Sequence, residues 1–292
     1  MAAGFERVLL GVLGGIVAGT LVVRLAFEAL ESRTTSLRSR FHDDVRRTPV
    51  PATDSPLVTE AELVHLPPPV AAYLRYAGVV GKPRVTHVVA EFRGQIRAKP
   101  DGTWLDFRAE QHDFFVPASR YFYLEATMFG LPVRAYHRYV AGGATMEVKA
   151  LSLFSLVDAR GLEMNTSETV TVLNDRCVLA PATLIDPALE WESLDALSAR
   201  VQFENAGNRV SAVLLFEPDG RLASFYSDDR YLSSDGKTFT RYRWTTPLSD
   251  YRDFGGVRLA KHGVASWRLP NGELEYGRFD LERIRYNAEP RP

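Results

Sequence analysis

Cysteine is nearly absent. Only Cys177 occurs in the 292 residues, so no intramolecular disulfide and no cysteine-based metal cage can form. A lone cysteine inside an apolar pattern is read as a small buried side chain. Charge of one sign is lacking as well. The 35 basic and 36 acidic residues leave a formal net charge of −1, which removes any general electrostatic case for binding nucleic acid. None of the six histidines stands in an H-x-x-x-H or H-E-x-x-H spacing, so a zinc-binding helix is not expected. The glycine pairs Gly142-Gly143 and Gly255-Gly256 carry no phosphate-loop pattern, and no G-x-S-x-G elbow exists. No metal and no cofactor is expected.

What the chain does contain is a long run of alternating strands. The stretch Arg209 to Tyr231 reads as a β-hairpin turned at Pro218-Asp219-Gly220, where Pro presets φ and Gly takes the left-handed position. The same grammar returns in Lys99-Pro100-Asp101-Gly102 and Leu269-Pro270-Asn271-Gly272. From Thr86 to Arg97, Val88, Ala90 and Phe92 share one face while His87, Glu91 and Arg93 share the other, a period of two. Its return strand repeats that period with Leu105, Phe107 and Ala109, and further strands are expected over 121–128, 133–140 and 144–151. From 197 on come about six more, counting the two of the 209–231 hairpin, ending at 274–286.

Helices punctuate this series. Thr59 and Glu62 resemble a capping box, and Val70, Tyr73, Leu74 and Ala77 recur at helical spacing before Gly78. Val170, Leu173 and Cys177 predict a second helix, capped by Thr166 or Ser167 and stopped by Pro181. Ten or eleven strands joined by short turns predict a mostly β fold: a large curved antiparallel meander with one or two covering helices, forming a single domain over 58–288.

The N-terminus is of another kind. Val8 to Phe27 is apolar apart from Thr20 and Arg24, and about twenty helical residues span the roughly 30 Å hydrocarbon core. With no small-x-small cleavage site after it, residues 1–30 are read as an uncleaved transmembrane anchor rather than a signal peptide. Gly11, Gly15 and Gly19 line one face of that helix and would permit a homodimer. Residues 31–57 form a charged and then Pro-rich linker, whose first part continues as an amphipathic helix to about Thr48. The expected location is the cell membrane, single-pass. The arginines after the run place the domain in the cytoplasm, whereas a short tail before a large domain favours the other side.

For a site, the aromatics crowd one region. Tyr121, Tyr123, Phe129 and Tyr136, with Met128 and Met146 nearby, would line an apolar groove for a lipid tail on a curved sheet. Arg134 and Arg138, with His137 and Arg241, would hold an anionic headgroup at its mouth. His87 and His112 lie on the polar faces of the first two strands and are read as ordinary polar surface. The sharpest charged cluster is Asp228-Asp229-Arg230, where two carboxylates beside Arg would make an acid–base pair. Neighbours along a strand point to opposite faces, which opposes that use.

Several fragments resemble an uncharacterised bacterial family whose members often carry an N-terminal membrane helix: LPPPVAAYLRYAG, FEPDGRL followed by SDDRY, RWTTPLSDYRDFGGVRL, WRLPNGELEY and IRYN. The likeness covers roughly 61–287. The long meander with covering helices is also similar to the LolA/LppX-type lipoprotein carriers, which implies an open half-barrel whose concave face takes acyl chains. The combined expectation is a membrane-tethered, non-enzymatic binding protein for a hydrophobic or lipid-like ligand. Two alternatives stand beside it. One is an enzyme using Asp228, Asp229, Arg230 and His137, and the other is a scaffold that dimerises through its N-terminal glycines.

Overall fold

Alternation carries straight into the computed structural model, which describes residues 33, 35–50, 56–233 and 235–288. The first six strands, β1 (His87–Ile96), β2 (Leu105–Phe115), β3 (Ala118–Met128), β4 (Leu131–Val140), β5 (Gly143–Ala150) and β6 (Phe154–Arg160), pair in succession. They run from the middle of one antiparallel sheet to its edge. The chain then crosses by a helix to the opposite edge and returns to the middle through β7 (Leu189–Asp195), β8 (Ser198–Asn205), β9 (Asn208–Phe216) and β10 (Leu222–Ser227). A small ribbon of β11 (Tyr231–Leu232) and β12 (Thr240–Arg241) interrupts before β13 (Arg243–Asp253), β14 (Arg258–Leu269) and β15 (Gly272–Tyr286). The last strand closes on the first, Val88 opposite Tyr286. The main sheet has 13 strands among the described residues.

Its curl follows from two hydrogen bonds. In sheet order β4 and β8 stand nine places apart, about 43 Å in a flat sheet. Yet Asn205 donates to the Tyr139 hydroxyl at 2.8 Å, and Asn208 donates to the Gly142 carbonyl at 2.9 Å. The two arms therefore bend round until the β4–β5 and β8–β9 turns touch. Gly142 makes that closure possible: its φ is +78°, and a Cβ there would stand 2.6 Å from Ala206 Cβ.

Among the described residues three α-helices dress the sheet: α1 (Leu37–Arg47), α2 (Pro68–Ala77) and α3 (Leu162–Val178). The crossing helix α3 lies inside the curl and touches β5 on one arm and β9 on the other. Beside it α2 buries Val70, Tyr73 and Leu74 in the same main core, as its spacing predicts. On the outer side α1 packs Leu37, Phe41 and Val45 onto Phe114, Tyr121, Tyr123 and Tyr136.

Several expectations need correction. The amphipathic helix expected before Thr48 forms as α1, but it docks on the sheet, so that part of 31–57 is not a linker. Ser167 is not a cap, because α3 begins at Leu162; instead Ser167 donates to the Glu163 carbonyl and accepts from the Tyr231 N–H. β6 and β7 were not expected, having irregular patterns that face solvent on both sides (Phe154, Ser155 and Leu156; Glu192 to Leu194). Residues 8–27 and the glycines Gly11, Gly15 and Gly19 lie outside the described residues. Among the described residues no helix is long and apolar enough to cross a membrane.

Candidate functional site: the seat of the inner helix

A helix surrounded by protein is normally apolar on all sides. α3 is not. Twelve of its seventeen residues are buried, and seven of those are polar: Ser167, Glu168, Thr169, Thr171, Asn174, Asp175 and Arg176. The inner face of β2 supplies their partners. Its period-two series runs Phe107, Ala109, Gln111, Asp113, Phe115, so two polar residues enter an apolar wall.

Arg120 on β3 is the hub. Its Nε donates to Asp175 Oδ2 at 2.7 Å, its Nη1 lies 3.3 Å from Glu168 Oε2, and its Nη2 donates to Gln111 Oε1 at 3.1 Å. The Gln111 amide bridges both aspartates, reaching Asp113 Oδ2 at 2.7 Å and Asp175 Oδ2 at 2.9 Å. Glu168 also meets His137 Nδ1 at 3.5 Å and Arg230 Nη2 at 3.7 Å. Arg230 arrives from the other arm with its guanidinium 4.0 Å from the Trp244 ring centroid, a cation–π contact. At the end of α3, Arg176 donates to the Phe115 carbonyl at 3.0 Å and to Asp186 at 2.9 Å.

The charges sort themselves by partner. Burial raises the Glu168 carboxyl, but His137, Arg120 and Arg230 outweigh it and hold the group down at about 2. Asp113 goes the other way: burial and the neighbouring Asp175 push it well above the usual range. Its Oδ1 is buried without a hydrogen-bond partner. Asp175 is also raised by burial, against the pull of Arg120. Arg120 and Arg230 thus face the three acidic side chains Glu168, Asp175 and Asp113, with His137 beside Glu168. The cluster ties α3 to both arms of the sheet, and no cleft among the best-formed surface pockets reaches it.

The outer side has its own polar feature. A cleft of about 350 Å³ runs beside α1, lined among others by Arg38, His42, Glu91, Arg108, Glu110 and Glu125. Below α1, His87 Nε2 lies 3.2 Å from His112 Nδ1, and His112 Nε2 lies 2.9 Å from Glu110. These histidines are buried rather than surface-exposed. Burial first, and His112 second, lower His87 to about 4. No group of three or more metal-ligating side chains forms among the described residues.

The residues proposed from the sequence to bind a ligand separate into three places. Tyr121, Tyr123 and Tyr136 lie under α1. Arg138 pairs with Asp44 at 3.1 Å, and Arg134 with Glu125 at 3.3 Å, on that same outer side. Met128 and Phe129 end β3 at the sheet's tip, while Met146 packs on the inner core. The headgroup ring does not form: His137 faces inward, and Arg241 pairs with Asp229 on the other arm. Asp228 and Asp229 tie strands together, through Arg243 at 2.8 Å and the Ser211 N–H at 2.7 Å. Arg230 and His137, in contrast, converge on Glu168, a residue no motif marked.

Residues 56–279 match the model of a family of unknown function, DUF6544. The chain belongs to that family. The DUF6544 match begins after α1 and ends within β15, so it takes in the whole inner cluster. No curated protein matches the chain. Among solved structures it is similar to a DUF1329 family protein from Desulfovibrio piger, at 12% identity and TM-score 0.41, covering 75% of this chain and 93% of that one. It is also similar to a candidate outer membrane lipoprotein-sorting protein domain from Vibrio parahaemolyticus (9%, TM-score 0.39, 68% and 85%). A LolA superfamily protein from Nitrosomonas europaea matches at 10% identity and TM-score 0.31, over 78% and 90%. At such scores the likeness decides nothing about the site.

Proposed function

We propose that this DUF6544 protein is a membrane-tethered, non-enzymatic binder of a hydrophobic or lipid-like ligand, which occupies the inner wall of the curled sheet when α3 lifts from it. One observation carries this reading: the helix filling the hollow sets seven buried polar side chains, two of them carboxylates paired with Arg120, into an otherwise apolar inner core. Phe92, Phe122, Leu124, Phe225 and Trp244 belong to that core, together with Val170, Val172 and Leu173 of α3. Buried ion pairs contribute little net stability, since desolvation offsets most of their attraction. Polar groups released from the seat regain water, so displacement of α3 costs less than displacement of an apolar helix. An acyl chain would replace the helix on the wall and recover the hydrophobic contribution, about 25 cal/mol per Å² covered. The tether, residues 8–27, would keep the hollow near its supply of ligand.

The test is a lock. Asn174 donates to the Thr246 hydroxyl at 2.8 Å, so Asn174→Cys with Thr246→Cys, in a Cys177→Ala background, pins α3 to β13 on oxidation. Full-length protein in detergent should bind a dansylated undecanoic acid, lose binding on oxidation, and regain it with reductant. Equal binding in both redox states, or none in either, contradicts the proposal. A second reading is an enzyme built on Glu168, and the convergence of His137 and Arg230 upon it favours this. Activity-based profiling of wild type against Glu168→Gln separates the two, because a binder has no turnover to lose.

A further inference from the structure

Two neighbouring hairpins break the rules of turn chemistry in the same way. The β3–β4 turn places Phe129 at φ +51° and Gly130 at φ +78°, both in the left-handed region. Gly and Asn fill that region at low cost, whereas a bulky side chain there is strained. The β5–β6 turn repeats the choice with Leu151 at φ +54° and Ser152 at φ +56°. The tips are adjacent, since the Leu151 N–H donates to the Pro132 carbonyl at 2.9 Å. Strain here does not serve burial: Phe129 is 90% exposed, Leu153 58% and Phe154 62%. Nor is there a charge to keep the tips in water. From Thr127 to Val133 and from Ala150 to Val157 no residue is charged.

The partner is indicated by where α1 points. Along the helix, Arg38 lines the cleft with Glu125, Arg40 meets Glu147, Asp44 meets Arg138, and Thr48 meets Tyr121. On β3 the step from Glu125 to Tyr121 leads away from the Phe129 turn. The N-terminus of α1 therefore faces the end of the sheet that carries the tips. The ten Cα–Cα steps from Phe27 to Leu37 reach at most about 35 Å. An apolar run ending at Phe27 thus brings a bilayer to that same end.

We propose that the β3–β4 and β5–β6 tips enter the acyl region of a lipid bilayer and hold the sheet with this end against the membrane. Phe129, Leu131, Leu153 and Phe154 are the inserting side chains. The inference rests on residues 8–27 acting as the tether named above, and it adds the orientation in which the domain stands.

The experiment uses the full chain in vesicles of phosphatidylethanolamine and phosphatidylglycerol. An environment-sensitive NBD label goes on Phe129→Cys, or on Val116→Cys, an exposed position in the β2–β3 turn at the far end. The expected result is loss of most emission at 129 to a doxyl group on the lipid chains, with 116 quenched instead by aqueous iodide. A Leu153→Asp, Phe154→Asp pair added to the 129 label should return that label to iodide. Equal iodide quenching at 129 and 116 overturns the proposal. So does a 129 label shielded from both quenchers, which would mean a second copy covers the tips. Alkaline carbonate tests the tether separately. A chain retained by vesicles with its 129 label in water keeps the tether and loses the inference. A chain washed off by carbonate, with 129 chain-quenched beforehand, loses the tether and keeps the tips in lipid.

Discussion

One sheet holds a helix on each side and uses opposite chemistry to do so. Outside, α1 presents Leu37, Phe41 and Val45 to four aromatic rings, with Phe41 stacked on Tyr123 at 5.5 Å. Inside, α3 presents Glu168 and Asp175 to Arg120, with Thr169 on the Tyr139 hydroxyl at 2.8 Å. The outer seat excludes water and gains by area. The inner seat excludes water and must satisfy every charge it buries. In the proposed function the second kind of helix is the displaceable one, because its polar groups regain water when it lifts.

The largest expected break is at the hub. Arg120→Met leaves Asp175 buried without its cation and Glu168 with only His137 and Arg230, which should cost about 3–5 kcal/mol in denaturant unfolding. Adding Glu168→Gln and Asp175→Asn should recover much of that loss, because the cost lies in uncompensated charge. If the triple variant is as unstable as the single one, packing rather than charge governs the inner seat. On the outer side Phe41→Ala should cost about 4 kcal/mol, confined to α1. Hydrogen exchange would then rise over 37–47 with the sheet still protected.

Acid distinguishes the two seats next. His87 is neutral in the fold down to about 4, against 6.5 for the free side chain. A base with a depressed pKa loses stability as pH falls, here between about 6.5 and 4, by up to about 3 kcal/mol. Glu168, depressed to about 2 from 4.5, keeps its contribution above 4.5 and loses it only as pH falls further. The outer seat should therefore loosen first, and His87→Gln should flatten the exchange of α1 between pH 6.5 and 4. The smallest effect is at Asp113. A raised carboxyl favours folding below its free value of 3.8 and loses that contribution as pH rises. Asp113→Asn should then gain about 1 kcal/mol near neutrality and nothing below pH 3.8, as read by urea midpoints at the two pH values.

The meander was legible because alternation is local. Val88, Ala90 and Phe92 face inward in the structure as their spacing requires, and Gly220 takes its positive φ in the Pro-Asp-Gly turn. The polar face of that first strand was misleading at His87 alone, which is buried against Phe114 and His112 while Glu91 and Arg93 stay accessible. Glu168, Arg120 and Asp113 were illegible as a site. They are 48 and 55 residues apart in pairs that only the curl of the sheet brings together. The available signal was the break in β2, where Gln111 and Asp113 replace apolar side chains between Ala109 and Phe115. Their partners lay on a helix with polar residues on every side, a pattern that helical spacing alone does not explain.

Hydrogen exchange with and without an acyl ligand tests the displaceable plug most directly. With dansylated undecanoic acid bound, the amides of 162–178 should lose protection while those of 37–47 keep theirs. Ligand bound with α3 as protected as before would contradict the account, because the ligand is proposed to take the place of that helix.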